Sequence, residues 1–265
     1  MSTPGNDDGN PGAEDTGTRV GGTGTGAGTG TGAGGGGGGG GGRPMDAGFF
    51  VAWFEEAAGL VRRDRDRLTE LDAAIGDADH GTNLDRGLTE VVQALAGSPP
   101  ESPGQVLSVA GATLIRKVGG ASGPLYGSVF RQMGRSIAEP VTLAGFAAAF
   151  EEGVVALERL GKAALGDKTM VDALVPASRA LALALRDGVG TPEAFELAAR
   201  AAAEGAAGTI PLQARKGRAS YLGERSIGHE DPGAASSALF LAALATVAAG
   251  GPGPAAGTAG TAGTA

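Results

Sequence analysis

The chain has 265 residues, of which 51 are glycine, 4% are aromatic and none is cysteine, and its formal net charge is −8. The absence of cysteine excludes disulfides, thiolate nucleophiles and cysteine-ligated zinc together. The acidic balance, with a pI near 4.9, argues against generic binding to nucleic acid or to an anionic membrane.

Residues 1–44 hold 20 of the glycines and end in an unbroken run from Gly34 to Gly42. Such a stretch buries too little apolar surface to offset its ordering entropy, and it reads as disordered. Its GxGxxG matches, such as Gly32, Gly34 and Gly37, follow no strand and carry no dinucleotide meaning. Residues 250–265 read as a second disordered tail. The segment 45–249 has the size of one domain with a real core. The N-terminus lacks the apolar region of a secretory signal. The longest apolar run, Ala234 to Ala249, falls short of the ~20 residues of a membrane span. A cytoplasmic chain that uses neither membrane nor nucleic acid is expected.

Apolar residues three and four apart predict eight helices. The first covers 46–71, with room for one break, and carries Phe50, Trp53, Phe54, Ala57, Leu60, Val61 and Leu68 on its apolar side. The second covers 82–96 and the third 103–118, opened by Pro103 in its first turn. The fourth covers 122–138, the fifth 142–160 with Thr142 as N-cap, the sixth 169–187, the seventh 192–209 and the eighth 233–249. Alanine-rich helices approach one another closely, and short connections make neighbours antiparallel. The expected fold is all-α, an eight-helix up-and-down bundle or closed barrel.

The connections after helices 2, 4 and 6 are ordinary turns. Those after helices 1, 3, 5 and 7 are polar and glycine-rich: LDAAIGDADHGTN (71–83), GGASGPLYG (119–127), GKAALGDKTM (161–170) and the long segment 213–233. In an up-and-down array these four lie at the same end, which predicts one composite site there.

Asp72, Asp77 and Asp79 crowd three carboxylates into eight residues separated by small ones. Either a hard divalent cation neutralises them, magnesium fitting better than zinc, or the turn is a solvated acidic cap with Asp79 or Thr82 closing the next helix. His80 and His229 both fall in these loops, as structural hydrogen-bonders or, for His80, as a phosphate carrier. GGASG precedes a helix and forms an anion nest to which Ser122 adds a hydroxyl. It is no P-loop, because the GK[ST] ending is missing. In GDKTM, Thr169 caps, Lys168 reaches for phosphate and Met170 offers an apolar wall for a ring. The loop over 210–232, with Lys216, Arg218, Tyr221, Glu224, Arg225 and His229, has the length of a lid. Asp231 and Pro232 form a complete helix start by themselves. Glycines 76, 81, 119, 120, 123, 161, 166 and 233 are read as admitting phosphate close to backbone.

IGDADHGTN, GGASGPLYG, GDKTM and GRASYLGERSIGHEDPGA resemble the nucleotide-binding L subunit of dihydroxyacetone kinase, collinearly from about residue 46 to 249. The resemblance implies an eight-helix barrel that holds ADP and two magnesium ions at one end. Asp72, Asp77 and Asp79 would bind the metal. His80, Gly81, Thr82 and Asn83, with Ala121 and Ser122, would line the phosphates. Gly161, Met170, Arg218, Asp231, Pro232 and Gly233 would surround the rest of the nucleotide. It further implies two separate partners: a phosphohistidine phosphocarrier, charged from phosphoenolpyruvate, that rephosphorylates the bound ADP, and a K subunit that holds dihydroxyacetone. Two other readings stand beside it: an ATP-exchanging kinase component for another triose or tetrose, and a nucleotide-bound regulator of a transcription factor.

Overall fold

The computed structural model describes residues 43–251, which contain nine α-helices, one 3₁₀ helix and no strand. The expectations for the glycine-rich start and the tail therefore lie outside the described residues, apart from their inner edges. No helix among the described residues is long and apolar enough to cross a membrane.

The first predicted helix is two. α1 (Ala47–Arg63) opens on Asp46, whose carboxylate accepts from Phe49 N, and it ends at Asp64. α2 (Arg65–Ile75) then runs four residues past the predicted end. Six of the eleven α2 residues are charged or polar, so period-based reading underestimates it. The consequence is functional: Asp72 sits in the last turn of a helix, not in a loop. α3 (His80–Gly97), α4 (Pro103–Lys117), α5 (Ser122–Ser136), α6 (Leu143–Gly161), α7 (Val171–Arg186), α8 (Thr191–Ala207) and α9 (Pro232–Ala248) match the remaining predictions to within a few residues. Pro103 and Thr142 take their expected places, with Ser102 and Thr142 accepting from the backbone of the first turn.

The long helices close a ring. α1 packs on α3, α3 on α4, and each later helix on its successor until α9 returns to α1. This is the eight-membered array expected, with α2 as an extra piece leaning on α3 and α9. Its core is aromatic at the centre. Trp53 packs against Phe50, Phe54, Phe130 and Phe146 with ring centroids 5.6–6.1 Å apart. The Trp53 indole N–H donates to Phe240 O at 2.8 Å, so the one polar atom of that ring is satisfied in the core. Elsewhere the helices touch through glycine. A Cβ at Gly104 would stand 2.8 Å from Gly134 O, and one at Gly127 would stand 2.7 Å from Gly111 O. The α4–α5 contact is therefore close to backbone on backbone, and it fixes the two helices that flank the GGASG loop.

Candidate nucleotide and metal site

The four polar connections do meet. They line one cleft of about 380 Å³, walled by residues from α2, α3, α5, α6, α9 and the 3₁₀ helix Arg218–Ser226, with Lys168, Thr169 and Met170 from the turn before α7. Thirteen of the fifteen residues expected in the site border it: Asp72, Asp77, Asp79, His80, Asn83, Ala121, Ser122, Gly161, Met170, Arg218, Asp231, Pro232 and Gly233. Gly81 and Thr82 lie in the first turn of α3, outside that wall.

The acidic group is built from a helix end and a strained turn. Asp72 is 8% exposed, and one of its carboxylate oxygens accepts from the backbone N–H groups of Asp79 (2.9 Å) and His80 (3.1 Å). Glycine at 76 leaves room for the Asp72 carboxylate, since a Cβ there would stand 2.0 Å from one of its oxygens and push it off its present position. Ala78 is held at a left-handed φ of +62°, a costly conformation for a residue with a side chain. The result is that one oxygen each from Asp72, Asp77 and Asp79 lie within 4.8 Å of one another.

The capping alternative is answered here. Asp79 precedes α3 but makes no side-chain bond to it, and the work of holding that turn falls to Asp72 instead. Asp79 thus keeps its carboxylate for the cleft. Asp77 meets one cation of the protein, Arg218, at 3.1 Å. Three converging carboxylates and one exposed guanidinium leave negative charge uncompensated, and a hard oxygen-liganded cation fits that donor set.

The N-terminal residues of α3 and α5 border the same cleft, and the N-cap position of α5 is Ala121, which has no hydrogen-bonding side chain to offer. The first-turn amides of α5 and its helix dipole suit an anion there. Gly120, at φ +65°, supplies the turn. His80 is 7% exposed, and burial pulls its pKa below the usual imidazole value while Asp72 and Asp79 push it back up. Ile75, Leu125, Leu157 and Leu160 give one side of the cleft an apolar face.

Three expectations change. Lys168 borders the cleft, but it does not reach for phosphate. It is 1% exposed, and its ammonium donates to Thr209 O at 2.8 Å and to His229 O, gripping both ends of the segment 210–230. Thr169 lies one residue before Met170, the N-cap position of α7, and its hydroxyl accepts from Val171 N at 3.2 Å, but it does not hold the loop alone. Asp172, 4% exposed, accepts from Gly166 N (2.6 Å) and Thr169 N (2.8 Å) and so ties the GDKTM loop to its own helix. Gly81 and Gly123 are helix-packing glycines, since a Cβ would stand 2.0 Å from Arg65 O and 2.5 Å from Val118 O respectively. His229 is exposed and outside the cleft wall. Asp172, Leu125 and Leu160 were not singled out from sequence: one reads as a routine first-turn acid, the others as routine helix apolars.

A helical ring that gathers carboxylates and a free helix N-terminus around one cleft suits a subunit that handles a phosphorylated ligand, and its relatives are kinases and kinase subunits. The DAK2 domain model matches residues 74–246. The ADP-binding subunit DhaL of the PEP-dependent dihydroxyacetone kinase of Escherichia coli (strain K12) is 42% identical over 200 residues, covering 75% of this chain and 95% of that one. The human triokinase/FMN cyclase is 35% identical over 183 residues, covering 69% of this chain but 32% of that protein. The crystal structure of the C. freundii dihydroxyacetone kinase in complex with AMP-PNP and Mg²⁺ aligns with a TM-score of 0.59 at 26% identity, over 77% of this chain. This chain spans about a third of that solved chain, which it matches over 34% of its length. The protein belongs to the DAK2-domain family, and within it resembles the ADP-binding L subunits of dihydroxyacetone kinase.

Proposed function

We propose that this chain is the cytoplasmic ADP-carrying L subunit of a dihydroxyacetone kinase. It would take a phosphoryl group from a phosphohistidine carrier protein and pass it to dihydroxyacetone held on a separate K subunit. Bound magnesium and ADP would supply the charge neutralisation and the diphosphate acceptor for that transfer. What carries the reading is the convergence of Asp72, Asp77 and Asp79 in a cleft that the N-terminal residues of α3 and α5 also border.

The roles follow from charge and position. Asp72, Asp77 and Asp79 hold two magnesium ions. The turn His80–Asn83, with Ala121 and Ser122, receives the phosphates through backbone amides and one hydroxyl. Gly161, Met170 and the Asp231–Gly233 turn enclose the remainder of the nucleotide beside the leucine wall. Arg218, already at the edge of the carboxylates, closes over the phosphates from the lid. No residue is needed as a strong general base, because phosphoryl transfer is chiefly positioning and charge stabilisation.

The test is reconstitution. With a K subunit, dihydroxyacetone and a phosphohistidine carrier, dihydroxyacetone phosphate should form only when this chain is present, and without exchange of its nucleotide into solution. Turnover driven by free ATP, with release of ADP at each cycle, would overturn the ADP-cofactor reading in favour of an ATP-exchanging kinase.

A further inference from the structure

A line of four side chains runs from the cleft into the core, and none but the first two belongs to the expected site. Ser122 Oγ lies 3.1 Å from His80 Nδ1, His80 Nε2 lies 2.9 Å from Ser236 Oγ, and Ser236 Oγ lies 2.7 Å from the Tyr126 hydroxyl. Ser236 is fully buried and Tyr126 is 2% exposed. The hydrogens of such a chain have a direction, and counting donors and acceptors gives it.

Burial raises the pKa of Tyr126 far above the ordinary phenol value, so it keeps its proton and must donate it. Its closest acceptor is Ser236 Oγ, at 2.7 Å against 3.2 Å for Ser237 Oγ. Ser236 then has its own proton to place, on His80 Nε2 at 2.9 Å or on Gly233 O at 3.1 Å. Gly233 O already accepts from Ser237 Oγ at 2.8 Å. His80 Nε2 is the nearer and unserved acceptor. That leaves a ring proton on Nδ1, which donates to Ser122 Oγ, and Ser122 turns its own hydrogen outward, beside the amides of α5.

We propose that Tyr126, Ser236, His80 and Ser122 form a one-way donor relay that fixes the Ser122 hydroxyl as a donor to a nucleotide phosphate, with Tyr126 and Ser236 as its positioning residues. The proposal rests on the nucleotide reading above and extends it into the core. A ring carrying both protons would aim Ser122 the same way but would reverse the Ser236–His80 bond, with Ser236 then donating to Gly233 O; the full relay belongs to the neutral ring protonated on Nδ1. The opposite neutral tautomer would take the Ser122 proton and turn oxygen lone pairs toward an anion. Tyr126 also packs against Phe130 and Phe240, so the relay is anchored in the aromatic centre of the ring.

The relay is read directly from the ¹⁵N spectrum of the histidines in the full chain, with His229→Gln to assign the second ring. His80 Nδ1 should be protonated both without nucleotide and with ADP and Mg²⁺. Tyr126→Phe and Ser122→Ala should each weaken ADP binding about threefold to tenfold, the worth of one hydrogen bond. Combined, they should cost no more than Ser122→Ala alone, because one acts through the other. A neutral Nε2–H ring in the unsubstituted protein, or losses that multiply in the double variant, would overturn the relay. If Nδ1 is protonated and the chain binds no ADP, the nucleotide reading has failed and the phosphate role of the relay falls with it.

Discussion

Gly205→Ala separates helix propensity from packing by the sign of its effect. On propensity alone, alanine in the interior of α8 should stabilise the helix by about 1 kcal/mol. The structure argues the opposite. A Cβ at 205 would stand 2.1 Å from Asp172 O, 3.1 Å from Asp172 C and 3.2 Å from Ala173 Cα. All three are backbone, so no side chain can swing aside, and α7 and α8 must part. Overpacking of this kind costs about 1–3 kcal/mol, and the rigid backbone puts this case at the top of that range. The net expectation is a loss of about 2 kcal/mol, or a Tm lower by about 4–8 °C for a domain of this size. Gly59→Ala is the control. Its Cβ would meet only the tip of Arg63 at 3.8 Å, and it should gain up to about 1 kcal/mol. Urea and thermal denaturation of both variants decide the matter. Because Asp172 holds the GDKTM loop, Gly205→Ala should also weaken ADP binding, whereas Gly59→Ala should not. An unchanged or raised midpoint for Gly205→Ala would refute the close α7–α8 contact.

Two further outcomes follow from buried charge. Lys168→Met keeps the length of the side chain but strips the donor from Thr209 O and His229 O, so stability should fall by about 2–3 kcal/mol and protease should cut the segment 210–230 faster. Unchanged cleavage would show that the ammonium does not hold that segment. Asp231 has its pKa pushed up to about 7, first by burial and then by the charges of Asp172 and Asp72, with the Ala234 amide and Lys168 acting the other way. The unfolded chain releases that proton near pH 4. The native state therefore binds the extra proton between about pH 4 and 7, and the stability this contributes is present below that window and lost as pH rises through it. Asp231→Asn keeps a competent cap and should flatten this part of the pH–stability curve of the nucleotide-free protein, as followed by urea midpoints. An unchanged slope would mean that another group carries it.

Much of the site was legible because its chemistry is local in sequence. Three aspartates in eight residues, a GGASG turn before a helix and an Asp-Pro helix start each announce themselves, and an up-and-down order puts alternate loops at one end. What stayed hidden depends on contacts across the ring. Glycines such as Gly81, Gly111 and Gly205 look like flexible punctuation in one dimension, yet each marks a backbone of another helix at contact distance. Lys168 reads as a phosphate ligand until Thr209 and His229, 41 and 61 residues away, are seen to claim it. Asp172 and Ser236 look like a first-turn acid and a helix serine because their partners are set by folded geometry. The last turn of the polar α2, past the expected end at 71, evaded the periodicity because its few buried positions, Leu68, Asp72 and Ile75, leave little apolar stripe to detect.

The central claim, that the three aspartates hold a metal-bound nucleotide in the loop-lined cleft, is tested most directly by nucleotide content and its dependence on one carboxylate. The purified chain should release near-stoichiometric ADP on denaturation. Asp77→Ala should lose both that nucleotide and the magnesium-dependent rebinding of added ADP measured by calorimetry, while its helical circular dichroism stays intact. An empty unsubstituted protein that binds no ADP with magnesium, or full magnesium-dependent binding by Asp77→Ala, would contradict the account.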